Sequence, residues 1–216
     1  MIRAIPQRRA RAGDAAPRPE RRVLDRARIV RAALDLLDEV GLDGLTMRRL
    51  AARLGVQAGA LYRHIRDKGE LLDLLVEAIC AEQREPDPAL PWREQVRALA
   101  RDELRILRSR RDAARLAAST VPNGPERLRL IEASLRALRA AGFDAADAVQ
   151  ISLLLNTYVT GLVLEEETSP AAAAEAAALR DPAVFDVEAR FTFGLEVLLA
   201  GLEARLRATA AGRAGS

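Results

Sequence analysis

Apolar residues recur at three- and four-residue spacing along almost the whole chain, in windows separated by glycine, proline or acidic residues. The first window predicts a helix from about Leu24 to Val40, with Val30, Ala33, Leu34, Leu37 and Val40 on one stripe and Gly41 as its stop. A short helix follows Thr46, whose hydroxyl is suited to accept a backbone N–H. It sets Leu50 and Leu54 on one face and ends at Gly55. Val56, Leu61 and Ile65 pin a second short helix back onto it, which leaves Tyr62, Arg63 and His64 largely outward. Ala51, Ala52, Ala58 and Ala60 allow the two to approach closely. Lys68 to Gln83 reads as a longer helix through Leu71, Leu72, Leu75, Val76 and Ile79.

The proline-rich segment from Pro86 to Pro91 marks the boundary between this head and a body. Body helices are expected near 92–109, 112–118, 125–141, 144–165, 172–180 and 186–207, with loops short enough to make neighbours mostly antiparallel. No window alternates with the period of a strand, so the fold class is all-α. The predicted organisation is a disordered basic arm over 1–22, a three-helix head over 23–68, a connecting helix over 69–85, a helical-bundle body over 86–208 and a flexible tail over 209–216. Helices 144–165 and 186–207 are apolar on more than one face. That suits a partner subunit across Leu155, Val159, Leu195, Leu198 and Leu202, or else a central place in the core.

Composition narrows the function. The chain of 216 residues is 50% hydrophobic but only 3% aromatic, enough apolar matter for a sizeable core. One histidine and one cysteine argue against a His/Cys metal site, a disulfide or a Cys-His nucleophile. Counts leave a carboxylate-only site open. The GPERLRL segment follows no strand and lacks the Lys-Ser/Thr pair of a phosphate loop. No cofactor, metal or catalytic residue is therefore expected. The longest uncharged run, Ala148 to Leu164, is short for a membrane span and contains several polar residues. With no secretory core at the N-terminus, a cytoplasmic location is expected.

Charge is unevenly placed. Residues 1–68 hold 16 Lys and Arg against 8 Asp and Glu, while the whole chain is only +3, so the remainder carries −5. A basic head on an acidic body is the footprint of nucleic-acid binding, and the hairpin from Leu45 to Lys68 has the outline of a DNA-reading helix-turn-helix. An ordinary helical hairpin with a solvated face remains the plain alternative. On that view the chain is a helical interaction protein whose basic hairpin meets an acidic partner, or an enzyme using the bundle cavity.

The run LDRARIVRAALDLLDEVGLDGLTMRRLAARLGVQAGALYRHIRDKGELLDLL resembles the tetracycline repressor (TetR) family. Its pattern is G-x-x-x-L-T-x-R-x-L-A-x-x-L-G-V followed by L-Y-x-H and a lysine. The PW start at Pro91, AAGFDAADAV, VLEEE at Val163 and FGLEVLLAGLEARL are similar to the tetracycline-repressor branch itself. The resemblance implies a homodimeric regulator, repressor or activator, that binds a palindromic double-stranded DNA operator. A small molecule in the body would release it. It places Thr46, Met47, Arg48, Ala58, Gly59, Ala60, Tyr62, Arg63, His64 and Lys68 at the DNA, with Arg48 on a base edge and Lys68 on phosphate. It places Leu99, Glu103, Ala117, Thr120, Pro122, Leu135, Asn156 and Glu165 around the ligand. Two departures stand out. Tetracycline-binding members have a magnesium-ligating histidine where this chain has Ala117, and Arg63 stands where they have tryptophan.

Overall fold

The computed structural model describes residues 24–168 and 186–214, which form nine helices and no strand. The predicted arm over 1–22 and the helix over 172–180 lie outside the described residues. The head comprises α1 (Arg26–Gly44), α2 (Met47–Leu54) and α3 (Ala58–Leu61). The chain continues through α4 (Lys68–Cys80), α5 (Trp92–Arg108), α6 (Ala113–Ala118), α7 (Pro125–Ala140), α8 (Ala145–Thr168) and α9 (Val187–Ala214).

Helix starts follow capping chemistry. Asp25, Thr46 and Asp67 each accept a bond from the backbone N–H three residues on, at 2.7, 3.2 and 2.8 Å, which satisfies a donor the helix itself leaves open. Gly55 closes α2 in the left-handed region at φ 68°. Gly41, expected as a stop, is instead a kink at φ 71° and ψ 175°, after which helical turns resume to Gly44. Helix α1 buries Ile29, Ala33, Leu34, Leu36 and Leu37, while Val30 and Val40 lie at the edge of that stripe.

The recognition segment is shorter than its apolar spacing suggests. Helix α3 spans four residues, and Tyr62, Arg63 and His64 lie in the turn that follows. Leu61 and Ile65 are fully buried, as expected of pinning residues, and Ala51 is buried beside them. Ala52 and Ala58 are exposed and mediate no close approach.

No gap separates head from body, because one continuous cluster of buried side chains runs from Ile29 to Leu202. Helix α4 is the bridge, packing on α1, α6 and α7. In the body, α5, α7 and α8 pack mutually, and α9 lies on α8. Trp92 meets Phe143 edge-on at 5.9 Å, and Tyr158 stacks on Phe191 at 6.4 Å. Helix α9 runs on to Ala214, so the tail predicted over 209–216 is helical through most of its length. The Ala- and Arg-rich sequence after Leu206 contains no proline, and Gly212 alone weakens the helix within it.

Candidate DNA-binding face and ligand cavity

The head's cations divide into two groups. Arg26 pairs with Glu70, Arg53 with Glu39, Arg66 with Asp67, and Arg49 donates to the Gly44 carbonyl at 3.0 Å. Arg48 at the start of α2, Arg63 beyond α3 and Lys68 at the start of α4 are exposed and have no ion pair among the described residues. Tyr62 stands 52% exposed beside them. Such groups are free to meet phosphates and base edges without first breaking an internal contact.

The other residues expected at DNA have mixed placements. Thr46 is occupied as the α2 cap, and Met47 packs partly into the core. His64 is half-buried, and its carbonyl accepts from Arg26 Nε at 2.8 Å. Ala58 and Gly59 are exposed and Ala60 is half-buried. A Cβ at Gly59 would meet nothing within 4 Å, so no internal packing demands glycine there. The head's surface simply presents a bare backbone.

The body encloses a cavity of about 190 Å³ between α4, α5, α6, α7 and α8. Of the residues expected around a ligand, Leu99, Glu103, Ala117, Pro122, Leu135 and Asn156 line it. Two expected residues do not. Thr120 acts from behind, accepting from Arg127 Nη1 at 2.9 Å. Glu165 points away, paired with Arg190 on α9, because it falls on the far side of α8 from the cavity.

Sequence reasoning missed the wall made by Val76, Ile79 and Cys80 of α4 and by Gln83 just past it, and missed Arg127 on α7. Arg127 had a readable signal, since it interrupts the inward stripe that continues through Leu130, Ile131 and Ser134. Leu155, expected at a subunit seam, lines the cavity instead.

Electrostatics in the cavity centre on one carboxyl. Glu103 accepts from Asn156 Nδ2 at 2.7 Å. Burial pushes it up to about 8, against the opposing effects of Asn156 and Arg127. The Cys80 thiol is pushed up to about 11, also by burial, and is unreactive at neutral pH.

Two sets of ties hold the cavity walls, one to the bridging α4 and one to the head. Glu77 of α4 accepts the Glu126 and Arg127 N–H groups at 2.8 and 3.1 Å, capping α7. Asp112, held at φ 56°, accepts the Leu42 N–H at 2.6 Å just past the α1 kink, and Arg115 grips Asp43 bidentately at 2.7 and 2.8 Å.

Comparison with known proteins fits this arrangement. Residues 29–75 match the model of the bacterial regulatory proteins of the tetR family, and residues 85–181 match the tetracyclin repressor-like C-terminal domain. The class A tetracycline repressor from transposon 1721 of Escherichia coli is 41% identical over 82% of this chain and 89% of its own length. The chain belongs to the TetR family. Its solved TetR neighbours include Streptomyces coelicolor ActR with actinorhodin, at TM-score 0.77 and 35% identity over 84% of this chain and 96% of that one. BioQ with its double-stranded DNA operator follows at TM-score 0.68 and 32% identity, covering 84% and 99%. As a TetR-family member the chain is a DNA-binding transcriptional regulator, and it is not an enzyme.

The seam residues expected from helix periodicity require correction. Leu155, Val159, Leu195 and Leu202 are buried within the protomer, where α8 and α9 cover each other, and Leu198 is half-buried beside them. The apolar surface these helices leave open is different: Leu153 and Leu154 on α8, Phe193 and Val197 on α9. Helix α8 is also long and apolar enough to cross a membrane by length and composition. Its contacts with α5, α6, α7 and α9 mark it as a core helix.

Proposed function

We propose that this chain is a cytoplasmic, homodimeric repressor that holds a palindromic operator through two heads and releases it when a small molecule fills the cavity. The observation that carries this reading is the position of α4. Its first residue is the unpaired Lys68, and its last turn supplies Ile79 and Cys80 to the cavity wall. The helix has 13 residues and is about 20 Å long, so pressure on its cavity end tilts its DNA end. The Asp112 and Arg115 ties give α6, another cavity wall, a second hold on α1. Two heads engage one duplex only when their spacing matches a helical turn, roughly 34–36 Å, and a small tilt breaks that match. A ligand that binds the tilted state better shifts the population toward it.

The effector differs from magnesium–tetracycline. Ala117 offers a methyl to the cavity, and no imidazole replaces it in the lining. Magnesium demands a near-octahedral oxygen or nitrogen shell that one carboxyl cannot fix. The reading is tested with an inverted repeat from the DNA flanking the coding region. Dimeric, salt-sensitive binding is expected, and it should persist in tetracycline with magnesium. Equal affinity for a scrambled duplex would refute the repressor reading, and release by tetracycline only with magnesium would refute the reading of Ala117.

A further inference from the structure

Two charged side chains line the cavity, and they are placed differently. Arg127 is occupied: Nη1 donates to the Thr120 hydroxyl at 2.9 Å and the Thr120 carbonyl at 3.2 Å, and Nη2 to the Ala117 carbonyl at 3.2 Å. Its guanidinium ties the end of α6 to the start of α7. Glu103 is not. Its Oε1 accepts from Asn156 Nδ2, while Oε2 has no protein partner among the described residues and stands in a wall that is otherwise mostly apolar. A carboxyl oriented by one amide and left open on its other oxygen is a receptor for a donor the protein does not supply.

We propose that the cavity takes an amphipathic amine, an apolar ring system against Leu99, Leu130, Ile131 and Leu135 whose protonated nitrogen pairs with the Glu103 carboxylate. The inference rests on the cavity being the effector site.

The titration follows from what faces the carboxyl. Helix α4 contributes the neutral Cys80 thiol and, behind the lining, Glu77, which caps α7; α7 contributes Arg127; α6 and α8 contribute no ionisable group to the wall. In the empty cavity Glu103, raised to about 8, is mostly protonated at neutral pH. Binding of the ammonium ionises it, the carboxylic proton passes to solvent, and the ammonium and carboxylate remain as a pair. Apparent affinity for an amine therefore rises about tenfold per pH unit from 6 toward 8, until the amine itself deprotonates.

Calorimetric titration of the full chain with naphthylmethylamine, naphthylmethanol and naphthylacetic acid tests this. At pH 8 the amine should bind at least about tenfold more tightly than the alcohol, with net proton release and with the advantage shrinking as pH falls. Glu103→Gln keeps an oxygen for Asn156 and nearly the same volume, and it should bring the amine down to the alcohol's affinity and flatten its pH profile. Preference for the acid, or unchanged amine binding in Glu103→Gln, would overturn the amine while leaving the cavity as a ligand site. Failure of all three probes to bind would overturn the cavity reading itself.

Discussion

Arg48, Arg63 and Lys68 matter because of what they lack. Neighbouring arginines are held by Glu39, Asp67 and Glu70, whereas these three are free for a nucleic acid. Lys68 also sits at a helix N-terminus, where the dipole and open N–H groups favour a phosphate. Lys68→Ala should weaken specific and random duplexes alike and lower the salt slope by about one. Arg48→Ala should cost about 1–3 kcal/mol on the preferred operator and little on random DNA; equal losses in a filter-binding comparison would assign Arg48 to phosphate. Glu103 gives a second prediction from the sign of its shift. Its folded pKa of about 8 lies above the ordinary carboxylate value, so the unfolded chain binds fewer protons between pH 5 and 8 and stability falls across that window. Glu103→Gln should raise Tm at pH 8 and change it little at pH 5. A larger gain at pH 5 would contradict the burial of this carboxyl. Residues of the hairpin were legible because glycine, caps and spacing act locally. Cys80 and Gln83 were not, since their facing depends on how α4 and the turn after it lie across α6 and α7.

At the scale of elements, periodicity located the helices over 92–109, 112–118, 125–141 and 144–165 to within three residues, but it ended the last one seven residues short of Ala214 and left open which apolar face meets which neighbour. Helices α8 and α9 illustrate the point. Each carries leucines on several faces, and burial of Leu195, Leu199 and Leu202 on α9 follows from contact with α8 in the same chain. The contact is set by a small residue. A Cβ at Gly194 would lie 2.2 Å from the Tyr158 hydroxyl oxygen, which donates to the Arg190 and Phe191 carbonyls at 2.7 and 3.0 Å. Gly194→Ala gains helix propensity, yet it must displace the tyrosine and strand buried polar groups. The clash should dominate, with a loss of about 1–3 kcal/mol in denaturant unfolding. Gly201→Ala, on the same helix with nothing within 4 Å, is the matched control and should be neutral or slightly stabilising. Equal effects at the two positions would show that Tyr158 moves aside freely.

For the molecule as a whole, the surface feature that bears on assembly is the apolar band on α8 and α9. Leu153 is 57% exposed, Phe193 74% and Val197 55%. Gly161 continues the band: a Cβ there meets nothing within 4 Å, so a second backbone has room to approach. Side chains this apolar and this open are unusual at a monomer's surface unless something covers them. A two-fold partner would cover the band with itself, because the same patch serves both sides of an isologous interface. It would also stand near the mouth of the cavity, since Val149 and Leu153 belong both to the lining and to the exposed apolar surface. Helical periodicity signalled that α8 and α9 had apolar surface to spare, but the face left over became visible only after intrachain packing was known. Phe193→Asp should therefore yield a monomer, because each dimer would bury two unpaired carboxylates near its axis. Operator affinity should fall with it, since a lone head loses the second half-site. Val121→Asp, on a side chain 75% exposed in the α6–α7 loop, should leave assembly unchanged. Sedimentation of both variants at micromolar concentration decides the matter: a Phe193→Asp protein that remains dimeric and holds operator like the parent would place the subunit interface elsewhere.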